Sequence, residues 1–363
     1  MSDYLEEYKI IRPNYERFQN KLTELLKELI LESDIEIVSI ESRTKTIESF
    51  KEKINRPDKN YNDPINDITD LCGVRIITYY TEDIYKIAEL IENEFKIDSD
   101  KSVDKTKINT PDKFGYLSLH YILNLGKKRD NLVEWKAFKT FTAEIQIRTI
   151  LQHSWAAIDH KLRYKTKGEI PSLLKRKIYR LSALLELADE QFLSIKNETS
   201  KLNYEIEDSI DKGELNLEFN RLSLSSYLLN NSKIIEITKL ALEIGFKEDL
   251  EPEYNLTDAE DEISWIFLSR LIETLNQSSL KTLRDLDNFI NNHESLVENL
   301  KKFKKQFDSL PDSEIYAVPT DLLVILIIMG DENINISNQK LRKAIDWPPL
   351  LITLDKVLKN KSV

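Results

Sequence analysis

Three stretches of this 363-residue chain carry residue types that could do chemistry together. DITDLCGVRI sets Asp67 and Asp70 just ahead of a β-rich run and Arg75 within it. FGYLSLH places Tyr116, Ser118 and His120 at period two behind Gly115. AEIQIRTILQHSWAAIDHKLRYK carries Glu144, Gln146 and Arg148, then His153, His160, Lys161 and Lys165. Two carboxylates on neighbouring strands suit a hard divalent cation, which takes oxygen ligands, keeps several waters and needs only one or two carboxylates. With Lys and Arg nearby, the same pair suits phosphate chemistry, where positioning and charge neutralisation carry most of the catalysis. Each residue taken singly has an ordinary reading. Asp70 could cap a turn, Glu144 could stand exposed on a strand, His153 and His160 could serve a helix face, and Cys72 could be a small buried side chain.

The elements that must position these residues follow from periodicity. Leu22, Leu25, Leu26 and Ile30 predict a helix from Tyr4 to about Leu31. Ile35–Thr46 reads as a strand and Thr46–Asn55 as a short helix, with RPDKNYNDP as a loop. GVRIITYY (73–80) has strand composition, and Thr81–Phe95 reads as a helix opening on a Thr cap. A polar loop over Asp98–Phe114 leads to a strand at Leu117–Leu125. In Lys139–Thr149, Phe141, Ala143, Ile145 and Ile147 alternate with polar residues, so Glu144, Gln146 and Arg148 share the face that does not bury. Helices are expected at about Ile150–Tyr164 and Pro171–Glu198, and the chain beyond about 200 is nearly all helical. There, Leu283/Ile290/Val297 and Leu286/His293/Leu300/Phe307 suggest a seven-residue seam on a core-facing helix, and Leu322–Met329 a helix buried on all sides. The expected class is α+β: a mixed sheet flanked by helices in residues 1–200, then an all-helical domain over 201–363.

Composition narrows the setting. The net charge is −11, but residues 101–180 hold 18 basic against 7 acidic side chains, while 1–100 and 181–363 are each strongly acidic. A basic block within an acidic chain points to a local anionic ligand rather than a general nucleic-acid coat. The run Lys161, Arg163, Lys165, Lys167 reads as a solvated face that could also touch phosphates or RNA. A single Cys excludes a disulfide framework and clustered-thiolate zinc sites, which fits a reducing cytosol. MSDYLEEYK has no leader pattern, and the longest apolar run is under half of a ~20-residue span. A cytoplasmic protein without a membrane segment is expected.

Taken in order, the motifs resemble the RelA/SpoT-type synthetase domain, with the group of small and toxic small alarmone synthetases nearest. The resemblance covers roughly 35–165 and weakens toward 198. It rests on Arg43 and Lys45 with Ser49 and Lys53 following, on D-x-x-G-x-R (Asp70, Gly73, Arg75), on G-Y-x-S-x-H (Gly115, Tyr116, Ser118, His120), and on E-I-Q-I-R-T followed by W-A-x-I-D-H and Y-K. The resemblance implies a nucleotidyltransferase-like fold and a pyrophosphate transfer from ATP to a ribose 3′-hydroxyl. Asp70 and Glu144 would hold Mg²⁺, with Glu144 also activating the hydroxyl. Arg43 and Arg75 would sandwich adenine, Lys45 and Lys53 would meet the phosphates, and Ser49 belongs to the same ATP side. Tyr116 would stack on the acceptor base, with Ser118, His120, Gln146 and Arg148 in that pocket. Leu117 stands where small synthetases usually carry Arg, which leaves acceptor preference open.

The leading expectation is an ATP:GTP/GDP 3′-pyrophosphotransferase making (p)ppGpp, without hydrolase activity because the family's N-terminal H-D metal domain is missing. A second expectation is a toxic relative that pyrophosphorylates the 3′ end of tRNA. The acidic region beyond 180 would hold it in check until a trigger such as phage infection, through a protein regulator of the C-terminal domain. A third is an idle module whose C-terminal helices bind a partner. Assembly into an oligomer is compatible with all three.

Overall fold

The computed structural model describes residues 2–57, 59–104, 118–165, 172–248, 262–291, 293–311 and 313–359. The chain divides into two compact units, Met1–Asn197 and Glu198–Val363. Within the first, the elements run α1 (Ser2–Leu31), β1 (Ile37–Thr44), α2 (Ile47–Ile54), α3 (Pro64–Asp67), β2 (Cys72–Thr78), α4 (Thr81–Glu94), β3 (Lys96–Ile97), β4 (Val103–Asp104), β5 (Leu119–Asn124), α5 (Gly126–Arg129), a 3₁₀ turn (Lys136–Phe138), β6 (Ala143–Thr149) and α6 (Ile150–Lys165). α7 (Ser172–Asp211) begins in the first unit and ends in the second.

The sheet order is β1-β2-β6-β5-β3, with β4 on β5. Among the described strands of this sheet, β2 and β6 pair in parallel and the other pairings are antiparallel. This is a mixed sheet flanked by helices, the expected α+β class. Period-two alternation drives it: Val74 and Ile76 of β2 and Ala143, Ile145 and Ile147 of β6 are buried in the core with Phe18, Leu22 and Leu26 of α1. The opposite face is not the open face the alternation suggested. Arg148 is buried on it, because the polar side chains there pack on one another.

α1 fixes the end of β1 beside the site. Tyr8 donates its hydroxyl to the Lys45 carbonyl at 2.6 Å, and Arg12 Nε donates to the same oxygen at 3.2 Å. Gln19 donates to Ser42 at 2.6 Å. The Tyr8 ring stacks on Phe50 of α2 with centroids 4.2 Å apart, so α1 and α2 are locked on either side of Lys45.

Several sequence expectations needed correction. Thr81 is the first helical residue of α4 rather than its cap; Tyr80 occupies the cap position without a side-chain bond. The strand expected from Lys139 starts at Ala143, since the turn that follows the 3₁₀ segment is closed by the Phe141 amide on the Phe138 carbonyl at 2.9 Å, and Phe141 stacks on Tyr15 at 4.3 Å. The loop expected over 98–114 contains β4, paired with β5. The helix expected to end near Glu198 runs to Asp211.

The second unit is helical: α8 (Arg221–Asn230), α9 (Ser232–Ile244), α10 (Glu262–Gln277), α11 (Leu283–Ile290), α12 (His293–Phe307), α13 (Pro319–Gly330), α14 (Gln339–Ile345) and α15 (Pro348–Lys359). α13 is buried along its whole apolar run, as its sequence requires. The seven-residue seam does not lie on one helix. Asn291 ends α11, and the second half of the pattern belongs to α12.

One consequence concerns Tyr8. Tyr8→Phe keeps the ring stack and leaves Arg12 on the Lys45 carbonyl, so only one buried hydrogen bond is lost. Its expected cost is about 1 kcal/mol in urea unfolding; no measurable loss would mean that the bond does not contribute to anchoring β1.

Candidate active site

The strand register brings the polar residues into two rows. Arg43 of β1 stands opposite Gly73 of β2, which stands opposite Glu144 of β6. Glu41 faces Arg75, Arg75 faces Gln146, and Gln146 faces His120 of β5. Between the rows is a cavity of about 140 Å³ whose lining includes Arg43, Asp70, Gly73, Arg75, Glu144 and Gln146. Gly73 sits in the floor, where a Cβ would come within 3.9 Å of the Arg43 side chain and take up cavity space.

Asp70 precedes β2 in a turn and is held from two sides. Lys45 Nζ lies 2.8 Å from its Oδ2 and Lys53 Nζ 2.8 Å from its Oδ1. Lys53 is aimed by α2, whose start is capped by Thr46 Oγ1 accepting from the Ser49 amide at 3.1 Å. Burial alone would raise the Asp70 pKa, but the two ammonium groups hold it below the ordinary carboxylate range.

Glu144 is supported differently. His120 Nδ1 lies 2.8 Å from Glu144 Oε1, and Gln146 Nε2 donates to the same oxygen at 3.2 Å. The other imidazole nitrogen, Nε2, is 2.7 Å from Ser118 Oγ. Arg148 donates to Oε1 of the Gln146 side chain. Burial pushes Glu144 up, His120 pulls it down further, and the Asp70 charge adds a smaller upward push; the balance keeps it low. Both carboxylates line the same cavity. Both side chains are 18% exposed, neither sealed nor open.

The predicted residues are therefore mostly together. Arg43, Asp70, Arg75, Glu144 and Gln146 line the cavity; Lys45, Lys53, His120 and Arg148 touch its lining, and Ser118 touches His120. Ser49 is not brought in, since its hydroxyl meets Thr46 at the helix start. Tyr116 lies outside the described residues, as do Gly115 and Leu117.

One residue was missed. Glu41 accepts from Arg75 at 2.7 Å, and period two from Arg43 would have found it. His153 of α6 feels Glu41, Arg75 and Arg148 electrostatically. Burial lowers its pKa, opposed by Glu41 and assisted by the two guanidiniums. The sequence reads it as a helix-face residue, without its coupling to Arg75 and Arg148. Burial, with Arg75 adding to it, pushes Arg148 down to about 10, which leaves it charged at neutral pH.

As a donor set, two carboxylates beside one cavity fit a hard cation that also draws on phosphate oxygens and water. Among the described residues no group of three or more His, Cys, Asp or Glu side chains could hold a metal ion by itself. No helix among them is long and apolar enough to cross a membrane.

Comparison with known proteins gives consistent findings. The family model described as a region found in RelA / SpoT proteins matches residues 42–169. The GTP pyrophosphokinase YwaC of Bacillus subtilis is 34% identical over 161 residues, 43% of this chain and 72% of that one. GTP pyrophosphokinase YjbM of the same organism is 30% identical over 172 residues, 47% and 75% of the two chains. Among solved structures, small alarmone synthetase 1 from B. subtilis aligns over 54% of this chain and 99% of its own, at 26% identity and a TM-score of 0.46.

A carboxylate whose folded-state pKa is depressed adds stability above its unfolded value, and that stability is lost as pH falls through the folded value. Stability is therefore expected to drop below about pH 4, the unfolded range. Asp70→Asn should flatten part of that drop and cost about 1–3 kcal/mol at pH 7, since buried Lys45 loses its partner. Urea unfolding of both proteins at pH 7 and 3.5 checks this; an unchanged acid slope would contradict it.

Proposed function

The chain belongs to the RelA/SpoT family and is a pyrophosphokinase; from that premise we propose that it is an ATP:GTP/GDP 3′-pyrophosphotransferase that makes (p)ppGpp in the cytoplasm. The observation that carries this reading is the shared cavity of Asp70 and Glu144, flanked by Arg43 and Arg75 on one side and by Gln146 and the His120 contact on the other. The names of the two curated relatives, both GTP pyrophosphokinases, support it.

In this reading Arg43 and Arg75 hold the adenine between their guanidinium planes. Lys45 and Lys53, already paired with Asp70, meet the phosphates. Mg²⁺, held by Asp70 and Glu144, would neutralise phosphate charge when bound. Tyr116, Gln146 and Arg148 orient the acceptor, with Ser118 and His120 on the same side. Glu144 takes the proton of the acceptor 3′-hydroxyl while the 3′ oxygen bonds to the β-phosphorus. The bond from that phosphorus to the bridging oxygen breaks, and AMP leaves with the oxygen. Synthesis without hydrolysis is part of this proposal.

A second reading draws on the charge distribution, which is basic over 101–180 and acidic beyond. There the acceptor is the 3′ end of tRNA, whose phosphates suit the basic block, and the C-terminal region restrains the enzyme until a trigger such as phage releases it.

Purified protein with β-labelled ATP, offered GDP, GTP, ATP or deacylated tRNA in turn, separates the readings. Label on GDP or GTP is expected, and label on tRNA alone would replace the first reading by the second. Glu144→Gln should cut kcat by about 10²–10⁴-fold, and EDTA should abolish transfer until Mg²⁺ is restored. Truncation after Asp211, which leaves α7 whole, should raise activity if the C-terminal region restrains it; unchanged activity would end that part of the second reading.

A further inference from the structure

Ser118 and His120 have so far been placed with the acceptor, yet their polar atoms are already committed elsewhere. His120 Nδ1 is 2.8 Å from Glu144 Oε1, and its Nε2 is 2.7 Å from Ser118 Oγ. Both ring nitrogens are engaged by the protein, so neither is available to read a base. A carboxylate only accepts, so Nδ1 carries a proton and donates to Glu144, while Nε2 and the Ser118 hydroxyl share the second bond. Gln146 adds a second donor to Oε1 at 3.2 Å, and Arg148 fixes Gln146 in turn. Among the described residues, the hydrogen bonds to the Glu144 carboxylate thus fall on one oxygen. Oε2 has no hydrogen-bond partner among the described residues.

We propose that His120, its ring held in place by Ser118, is a positioning residue for Glu144: it clamps Oε1 so that Oε2 is the oxygen presented to the acceptor hydroxyl. This rests on the pyrophosphotransferase reading and deepens it. An unclamped glutamate can rotate about its last torsion, which is broad and two-fold. It can then turn toward Arg148, which feels its charge. His120 prevents both. The proton leaving the 3′-hydroxyl goes to Oε2 as the 3′ oxygen bonds to the β-phosphorus, and it passes to solvent after AMP leaves. Loss of the clamp therefore slows the chemical step while leaving both substrates' pockets intact.

The test is steady-state transfer from ATP to GDP and to GTP by wild type, His120→Ala, His120→Asn, His120→Gln and Ser118→Ala, with thermal melts of each. His120→Ala should lower kcat about 10–100-fold, the range for partners that orient a reacting group, with the KM for ATP and acceptor within about twofold. The Asn amide reaches the place of Nδ1 and should restore most of that loss. The Gln amide reaches the place of Nε2 and should not. Ser118→Ala should give a smaller loss in the same parameter. If His120→Ala does not fold, the comparison of Asn with Gln decides alone. A raised acceptor KM with kcat unchanged, or equal activity of the Asn and Gln variants, overturns the inference while the parent reading stands. A wild-type protein that transfers nothing to either nucleotide overturns both.

Discussion

Two carboxylates kept charged in a half-closed cavity constrain everything around them. Burial pushes Asp70 and Glu144 toward neutrality, and each charge opposes the other. The fold offsets this in two unlike ways. Asp70 sits between two ammonium groups, while Glu144 is held by an imidazole and an amide. The difference has a chemical meaning. A carboxylate bracketed by lysines is prepared for phosphate and cation, because those lysines can turn to phosphate oxygens. A carboxylate gripped at one oxygen is prepared to receive a proton at the other.

Supports that look remote serve these two groups. Tyr8 and Arg12 of α1 bind the Lys45 carbonyl and so set where its ammonium ends. The Thr46 cap starts α2 at the residue that sends Lys53 back toward Asp70. The parallel pairing of β2 with β6 puts Gly73 opposite Glu144, so the one residue without a side chain lies where the cavity needs room. The second unit has its own organisation around α13, with Arg270 and Asp321 paired at 2.6 Å in its interior.

Much of this was legible in the sequence because strand periodicity is local. The alternation in AEIQIRT fixes which side chains share a face without knowledge of the partner strands, and β6 follows it from Ala143 onward. Registers are not local. That Gln146 faces His120 depends on pairing β5 with β6 across an intervening loop, which no spacing along the chain encodes. Glu41 was legible and overlooked, whereas His153 reads as a helix-face residue, and its coupling to Glu41, Arg75 and Arg148 depends on the placement of α6 after β6. Phe141 fitted the alternation yet lies ahead of the strand, where its ring stacks on Tyr15. The break between α11 and α12 shows the same limit from the helical side. A seven-residue repeat records which residues are buried, and two short helices can bury them as well as one.

The claim on which the enzymatic account depends is that Asp70 and Glu144 serve one cation. Anomalous diffraction from crystals grown with Mn²⁺ and a non-hydrolysable ATP analogue measures this directly. The expected result is an anomalous peak with oxygens of both carboxylates at about 2.1–2.2 Å, close to the distances of a six-coordinate hard cation. A cation bound to phosphates with both carboxylates still engaged only by Lys45, Lys53 and His120 would contradict it.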